Sequence, residues 1–286
     1  MAALINNSLV CSNTTAATFR AWCTFVHNLF MLGFINVTDA GQIDFTTVAT
    51  PTSTNMVMGY KIYKTNDALT PVYFKVEFGC AATALSPSIS ITIGTGYTAG
   101  GTISGLTLLS RTQITSGNSD NATAQTCFGS GDINRVCFAL FTSTTLCPLM
   151  FSFERRKDIT IADVDTGVII DWSNAGNTYF SLCAPFTGVI PVKENGFQFI
   201  LTTNNPAAYG NVVPQGLRIP CLGPSEPPGM NMAFCNSYDY GAYAEPVLTI
   251  NLTTVKFKHG GQYINALRGS NTGNNDVNTR LLLRYD

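Results

Sequence analysis

The sequence predicts a mainly β protein: antiparallel, sandwich-like sheets with one short amphipathic helix near the N-terminus. Three observations lead there. Apolar and polar residues alternate through VMGYKIYKTND, PVYFKVEFGC, SISITIGTG, RVCFALFTS, MFSFERR and GFQFILTT, the period-two pattern of strands with one buried face. Gly, Asn, Ser, Thr and Pro separate these runs and punctuate them as turns. Helical spacing stands out in one place, where Phe19, Trp22, Cys23, Val26, Leu29 and Phe30 recur three or four residues apart.

Residues 1–15 read as an N-terminal arm. The aromatic pattern predicts a helix over 16–32, capped at its start by Thr14 or Thr15 and closed at Gly33 by a left-handed turn. A turn-rich bridge, GFINVTDAGQIDFTTVATP, follows, with a first strand expected near Ile43–Val48. In GYKIYK, Tyr60, Ile62 and Lys64 share one side and Lys61 and Tyr63 the other. In PVYFKVEFG, Val72, Phe74, Val76 and Phe78 form the apolar face, with Tyr73, Lys75 and Glu77 opposite. Ile89, Ile91 and Ile93 point inward from the next strand. Further strands are expected near 103–115, 134–143, 148–155, 178–185, 196–203, 246–257 and 280–285. Residues 204–230 and 259–279 are irregular, being dense in Gly, Asn and, in the first, Pro. Residues 16–286 are read as a β-rich structural domain, with 115–130 as the place where it would sub-divide.

Composition narrows function. Of 286 residues, 45% are hydrophobic and 12% charged. The first figure supports a substantial core; the second is half the roughly 25% of an ordinary soluble domain. Net charge is −1, so no basic field exists to collect phosphates and nucleic-acid binding is disfavoured. Near-neutrality also leaves little self-repulsion between copies. The opening MAALINNSLVCSN lacks a basic leader, and Arg20, His27 and Asn28 interrupt the apolar run Phe19–Ile35, so neither secretion nor membrane insertion is expected. Nine cysteines occur without a CxxC pair, which disfavours zinc. They read either as small buried apolar side chains or as disulfides formed in an oxidising setting.

No constellation for catalysis emerges. GTGYTAGG (94–101) imitates a dinucleotide fingerprint but runs on into another strand, so a hairpin explains its glycines better. ADVDTGVIIDW offers Asp163, Asp165 and Asp171, but Asn174 stands where a calcium loop needs its bidentate Glu. The acids Glu77, Asp132, Asp158, Asp163 and Asp171 are scattered. Only His27 and His259 are available for a triad, and no G-x-S-x-G elbow is present. The expectation is a non-enzyme without cofactor or metal.

The candidate functional residues are therefore contact residues. The helix face led by Trp22, Phe25 and Phe30 packs either on its own β domain or between subunits. ERRKD (154–158) is a solvated turn, or an ionic contact in which Arg155 or Arg156 meets a neighbouring carboxylate. CNSYDYGAYAEP carries Tyr238, Tyr240 and Tyr243, which either fold back on their sheet or form a contact surface, including one for sugar rings. Five Asn-x-Ser/Thr sequons, at Asn6, Asn13, Asn36, Asn121 and Asn251, carry little weight in so Asn- and Thr-rich a chain.

FRAW (19–22), LGF (32–34), TDAGQIDFTTVATP (38–51), GYKIYKTNDAL (59–69), PVYFKVEFG (71–79) and ITIGTGYTAGGTISG (91–105), in that order, resemble a recurrent type of tailed-bacteriophage structural protein. The likeness covers about a third of the chain; beyond it, only FSFERRKD looks similar. The resemblance implies a virion component, tail- or baseplate-associated or part of a fibre, and brings no catalytic residues. It implies assembly with itself as a homo-oligomer such as a trimer, contacts with other virion proteins, synthesis in the host cytoplasm and release by lysis. Capsid decoration and recognition of a host surface glycan are the alternative roles.

Overall fold

The computed structural model describes residues 3–66, 71–80, 84–105, 109–114, 125–133, 135–140, 149–155, 167–173, 198–201, 218–221, 232–236, 247–250, 253–263 and 279–284. The fold is mainly β, with antiparallel sheets and one helix near the N-terminus. Strand β1 (Ala3–Leu9) precedes helix α1 (Ala16–Phe30) and the short β2 (Ile35–Asn36). Strands β3 (Val57–Lys64), β4 (Tyr73–Cys80), β5 (Pro87–Gly94), β6 (Gly96–Thr98), β7 (Thr102–Ser104) and β8 (Leu109–Ile114) follow. Then come β9 (Gln125–Asp132), β10 (Arg135–Leu140), β11 (Leu149–Arg155) and β12 (Gly167–Ser173). The remaining strands are β13 (Gln198–Leu201), β14 (Arg218–Cys221), β15 (Met232–Asn236), β16 (Val247–Ile250), β17 (Thr253–Tyr263) and β18 (Thr279–Arg284).

One five-stranded sheet has the order β1-β9-β10-β11-β12, another β2-β3-β4-β5-β8, and a six-stranded sheet runs β13-β14-β15-β18-β17-β16. The predicted faces of the second sheet are observed. Phe74, Val76, Phe78, Ile89, Ile91 and Ile93 are buried, while Tyr73, Lys75, Glu77, Ser90 and Thr92 are half-buried on the other side. Register places Tyr63 opposite Phe74 and Lys61 opposite Val76, so Tyr63 belongs to the core face. GTGYTAGG forms the β6–β7 hairpin, and Gly100 and Gly101 take positive φ in its turn.

Helix α1 joins the two five-stranded sheets. Thr15 caps it: its hydroxyl accepts from the Thr18 amide (3.1 Å), and the Thr18 hydroxyl accepts from the Thr15 amide (3.1 Å). This reciprocal pair satisfies two otherwise orphaned donors. Ala17, Ala21, Thr24, Asn28 and Met31 make the exposed stripe; Phe19, Trp22, Cys23, Phe25, Val26, Leu29 and Phe30 are buried. Phe30 stacks on Tyr63 (centroids 4.5 Å) and meets Phe74, both from one sheet. It also meets Phe138 and Phe151 from the other. Phe74 and Phe153 touch directly across the sheets at 4.8 Å.

Three local expectations are corrected. Gly33 has no positive φ, and the helix ends at Met31 in right-handed geometry. A Cβ at Gly33 would come within 2.1 Å of the Asp132 carbonyl carbon, so glycine is needed for close approach to the β9–β10 turn. Residues 43–48 form no strand. Asp44 instead accepts from the Thr46 amide (2.8 Å) and the hydroxyls of Thr46 and Thr47, which turns the chain locally. Residues 3–9, read as an arm, make an edge strand on β9.

Phe30→Ala is expected to destabilise the fold by about 3–5 kcal/mol, since it opens a void lined by both sheets. Met31→Ala, at a residue 44% exposed, should stay within about 0.5 kcal/mol. Urea midpoints at unchanged slope measure both; equal small effects would show that the sheets do not share this core.

Candidate functional site

The bridge after the helix and the β6–β7 hairpin converge on one carboxylate. Asp39 Oδ1 accepts from the Gly41 amide at 3.1 Å. Its Oδ2 accepts from the Tyr97 hydroxyl (2.5 Å), the Gly101 amide (2.9 Å), the Gly100 amide (3.0 Å) and the Tyr60 hydroxyl (3.3 Å). Gly101 has φ +72°, and a Cβ there would strike the Tyr60 ring at 2.6 Å. The hairpin can therefore close on Tyr60 only with glycine at this position. Lys75 lies over the Tyr60 ring at 5.1 Å and pairs with Glu77 at 2.8 Å.

Hydrogen bonds from the Tyr97 hydroxyl, then from the backbone amides, hold the Asp39 carboxyl down at about 2. Desolvation, followed by the bond to Asp39, pushes the Tyr97 phenol up to about 12. A carboxylate so acidic and so fully engaged is neither a proton donor nor an effective base near neutral pH. Its chemistry is that of a clasp between loops. Gln42 extends the clasp: its Oε1 accepts from the Ile62 amide (3.0 Å) and Asn36 Nδ2 (2.8 Å), and its Nε2 donates to the Val37 carbonyl.

A second polar hub lies at the start of the helix. Asn13 is 1% exposed. Its Nδ2 donates to the Gly79 and Ala84 carbonyls (3.2 and 3.1 Å), and its Oδ1 accepts from Trp22 Nε1 (3.0 Å). Both amide hydrogens are thus used, and this sequon is closed to glycan attachment in the folded chain. His27 shares a hydrogen bond with the Tyr63 hydroxyl through Nδ1 (2.8 Å) and sits edge-on to Phe45. Burial, then the Lys61 charge, lowers its pKa. Burial pushes the Cys23 thiol and the Tyr63 phenol up, so neither is prepared as a nucleophile.

The expected contact residues fare differently. Trp22, Phe25 and Phe30 are 0%, 1% and 0% exposed within the single chain. They are not an interface between subunits, because their own sheets already cover them. Arg155 ends β11, its backbone opposite Gly167. Arg156, Tyr238, Tyr240 and Tyr243 lie outside the described residues, as do Asp163 and Asp165. Among the described residues no three His, Cys, Asp or Glu side chains gather as a metal site, and no helix is long and apolar enough to cross a membrane. Sequence does not single out Asp39 or Tyr97, and marks Asn13 only as a sequon, although the D-x-G turn and the Gly-Gly after a tyrosine mark two of the loops. Comparison with protein-family models, curated proteins and solved structures found no match.

Asp39 gives a pH test. Its carboxyl is at about 2 when folded and about 3.9 unfolded, so the unfolded chain binds protons first as pH falls. The contribution is complete above about pH 4 and is lost on descending through about pH 2. Asp39→Asn should lower the melting temperature at pH 7 and converge with the parent chain near pH 2. Parallel melting curves across that range would remove the clasp.

Proposed function

We propose that the chain is a non-enzymatic structural subunit of a bacteriophage particle, tail-, baseplate- or fibre-associated. It would be made in the host cytoplasm and released by lysis. What carries the reading is the use made of the resembling motifs. TDAGQ, GYKIYK and GTGYTAGG supply Asp39, Tyr60, Tyr97, Gly100 and Gly101, which meet at the Asp39 carboxylate, and Gln42, which bonds the Ile62 amide of GYKIYK. The motifs thus serve to fasten a strand, a turn and a hairpin to one another, as suits an architectural part. Low charge supports it further, because nearly neutral copies pack without long-range repulsion.

With the helix face covered internally, contacts between copies and with other virion proteins fall to sheet edges and loops. The burial of apolar area there contributes about 25 cal/mol per Å² before ordering costs. The test combines two measurements on the full chain. Light scattering of the purified protein should give a homo-oligomer mass, such as a trimer. Immunogold labelling of particles from lysing cells that make the chain should mark the tail. Label on the head would shift the role to capsid decoration. A monomer absent from purified particles would overturn the proposal.

A further inference from the structure

Cys11 and Cys127 are 116 positions apart in sequence, yet their sulfurs lie 3.1 Å apart in the core. Cys11 follows edge strand β1, and Cys127 lies in β9, the strand on which β1 is paired. They are 1% and 0% exposed. Ser12 and Asn13, next along the chain, are also buried, and the Asn13 amide donates to the Leu85 carbonyl (2.9 Å). The chain is thus anchored just after Cys11, while β1 has β9 as its neighbour at the sheet edge. A shift of about 1 Å would bring the two sulfurs to the bonding distance of about 2.05 Å.

We propose that Cys11 and Cys127 form a redox latch that fastens the N-terminal strand to the sheet when the chain meets a disulfide oxidant. Cys11 thiolate attacks one sulfur of glutathione disulfide, and one glutathione leaves as its thiolate. Cys127 thiolate then attacks the Cys11 sulfur and displaces the second glutathione. One protein disulfide forms, one glutathione disulfide is reduced to two glutathiones, and the two thiol protons pass to the leaving thiolates. Burial means that the oxidant enters when β1 opens locally, so the reaction is slow in the native chain. In a reducing cytoplasm the pair stays as thiols; outside it the latch closes. Other described cysteines are differently engaged: the Cys80 thiol donates to the Ser53 carbonyl (2.8 Å), and Cys137 meets the Ser130 hydroxyl (3.2 Å).

The latch rests on this geometry and not on the particle role, and its test fails separately. The full chain is incubated with glutathione disulfide, alkylated under denaturing conditions and digested with trypsin without reduction. Cleavage after Arg20, Arg111 and Arg135 leaves Cys11 as the sole cysteine of peptide 1–20 and Cys127 as that of 112–135. The expected product is these two peptides joined, lighter than their sum by two hydrogen atoms, with two of the nine thiols protected from alkylator. Backbone amides of β1 should then exchange more slowly than in the reduced chain, and Cys127→Ser should lose both effects. Recovery of both peptides alkylated, or either joined to a different cysteine, overturns the latch. Because the unaltered chain provides that readout, a variant that misfolds does not blunt it.

Discussion

The fold depends on one constraint: two five-stranded sheets share a core that helix α1 completes. Phe30 is the clearest case, with Tyr63 and Phe74 on one side and Phe138 and Phe151 on the other. The helix therefore cannot be treated as an ornament on one sheet. Its packing requires β11, whose Phe151 lies 121 positions after Phe30, so little of its buried face is covered until non-local pairing is under way. The same fact explains its composition. A helix facing solvent along one stripe needs aromatic residues around most of its circumference, and FRAWCTFVHNLF has them.

Burying this much apolar surface leaves the backbone crossings to be satisfied, and a few amides and carboxylates do so. Asn13 serves the arm, the helix and the end of β4 at once, with each side-chain donor and its acceptor oxygen occupied. Asp39 does the same for the bridge and the hairpin. Replacing Asn13 costs more than the bonds it makes, because Trp22 Nε1 and the Gly79 carbonyl remain buried without a substitute. Arg20 repeats the device on the helix surface, donating to the Val48 and Thr47 carbonyls (2.7 and 3.0 Å) and so pinning the turn at 44–48.

Strand faces were legible because alternation is a local signal. Phe74, Val76 and Phe78 declare the buried side without knowledge of what covers them. The helix and its Thr15 cap were legible for the same reason. Partners were not. Trp22, Phe25 and Phe30 look identical in sequence whether a subunit or a sheet covers them, and here it is the chain's own sheets. Gly33 looks like a left-handed cap, but the Asp132 backbone that excludes a Cβ comes from a segment a hundred positions away. Ile43–Val48 alternates well enough for a strand, yet Asp44 captures its own neighbours first. The Asp39 site was illegible because its donors come from three separate stretches.

Charge economy follows from the same arrangement. In the described part, Lys61 lies over Phe45 at 5.4 Å, Lys75 over Tyr60, Arg20 on carbonyls, Asp44 on local donors, and Asp39 on donors from β3 and the β6–β7 hairpin as well as its own turn. The few charges are spent on positioning the chain's own loops, and hydroxyls and amides supply much of the remaining polar surface. Such a surface has little long-range field to steer a partner or to reject a copy. Contacts within the fold are decided instead by shape and short-range hydrogen bonding. β1, at a sheet edge, is accordingly held by its antiparallel ladder to β9 and by the buried anchor at Asn13 rather than by charge.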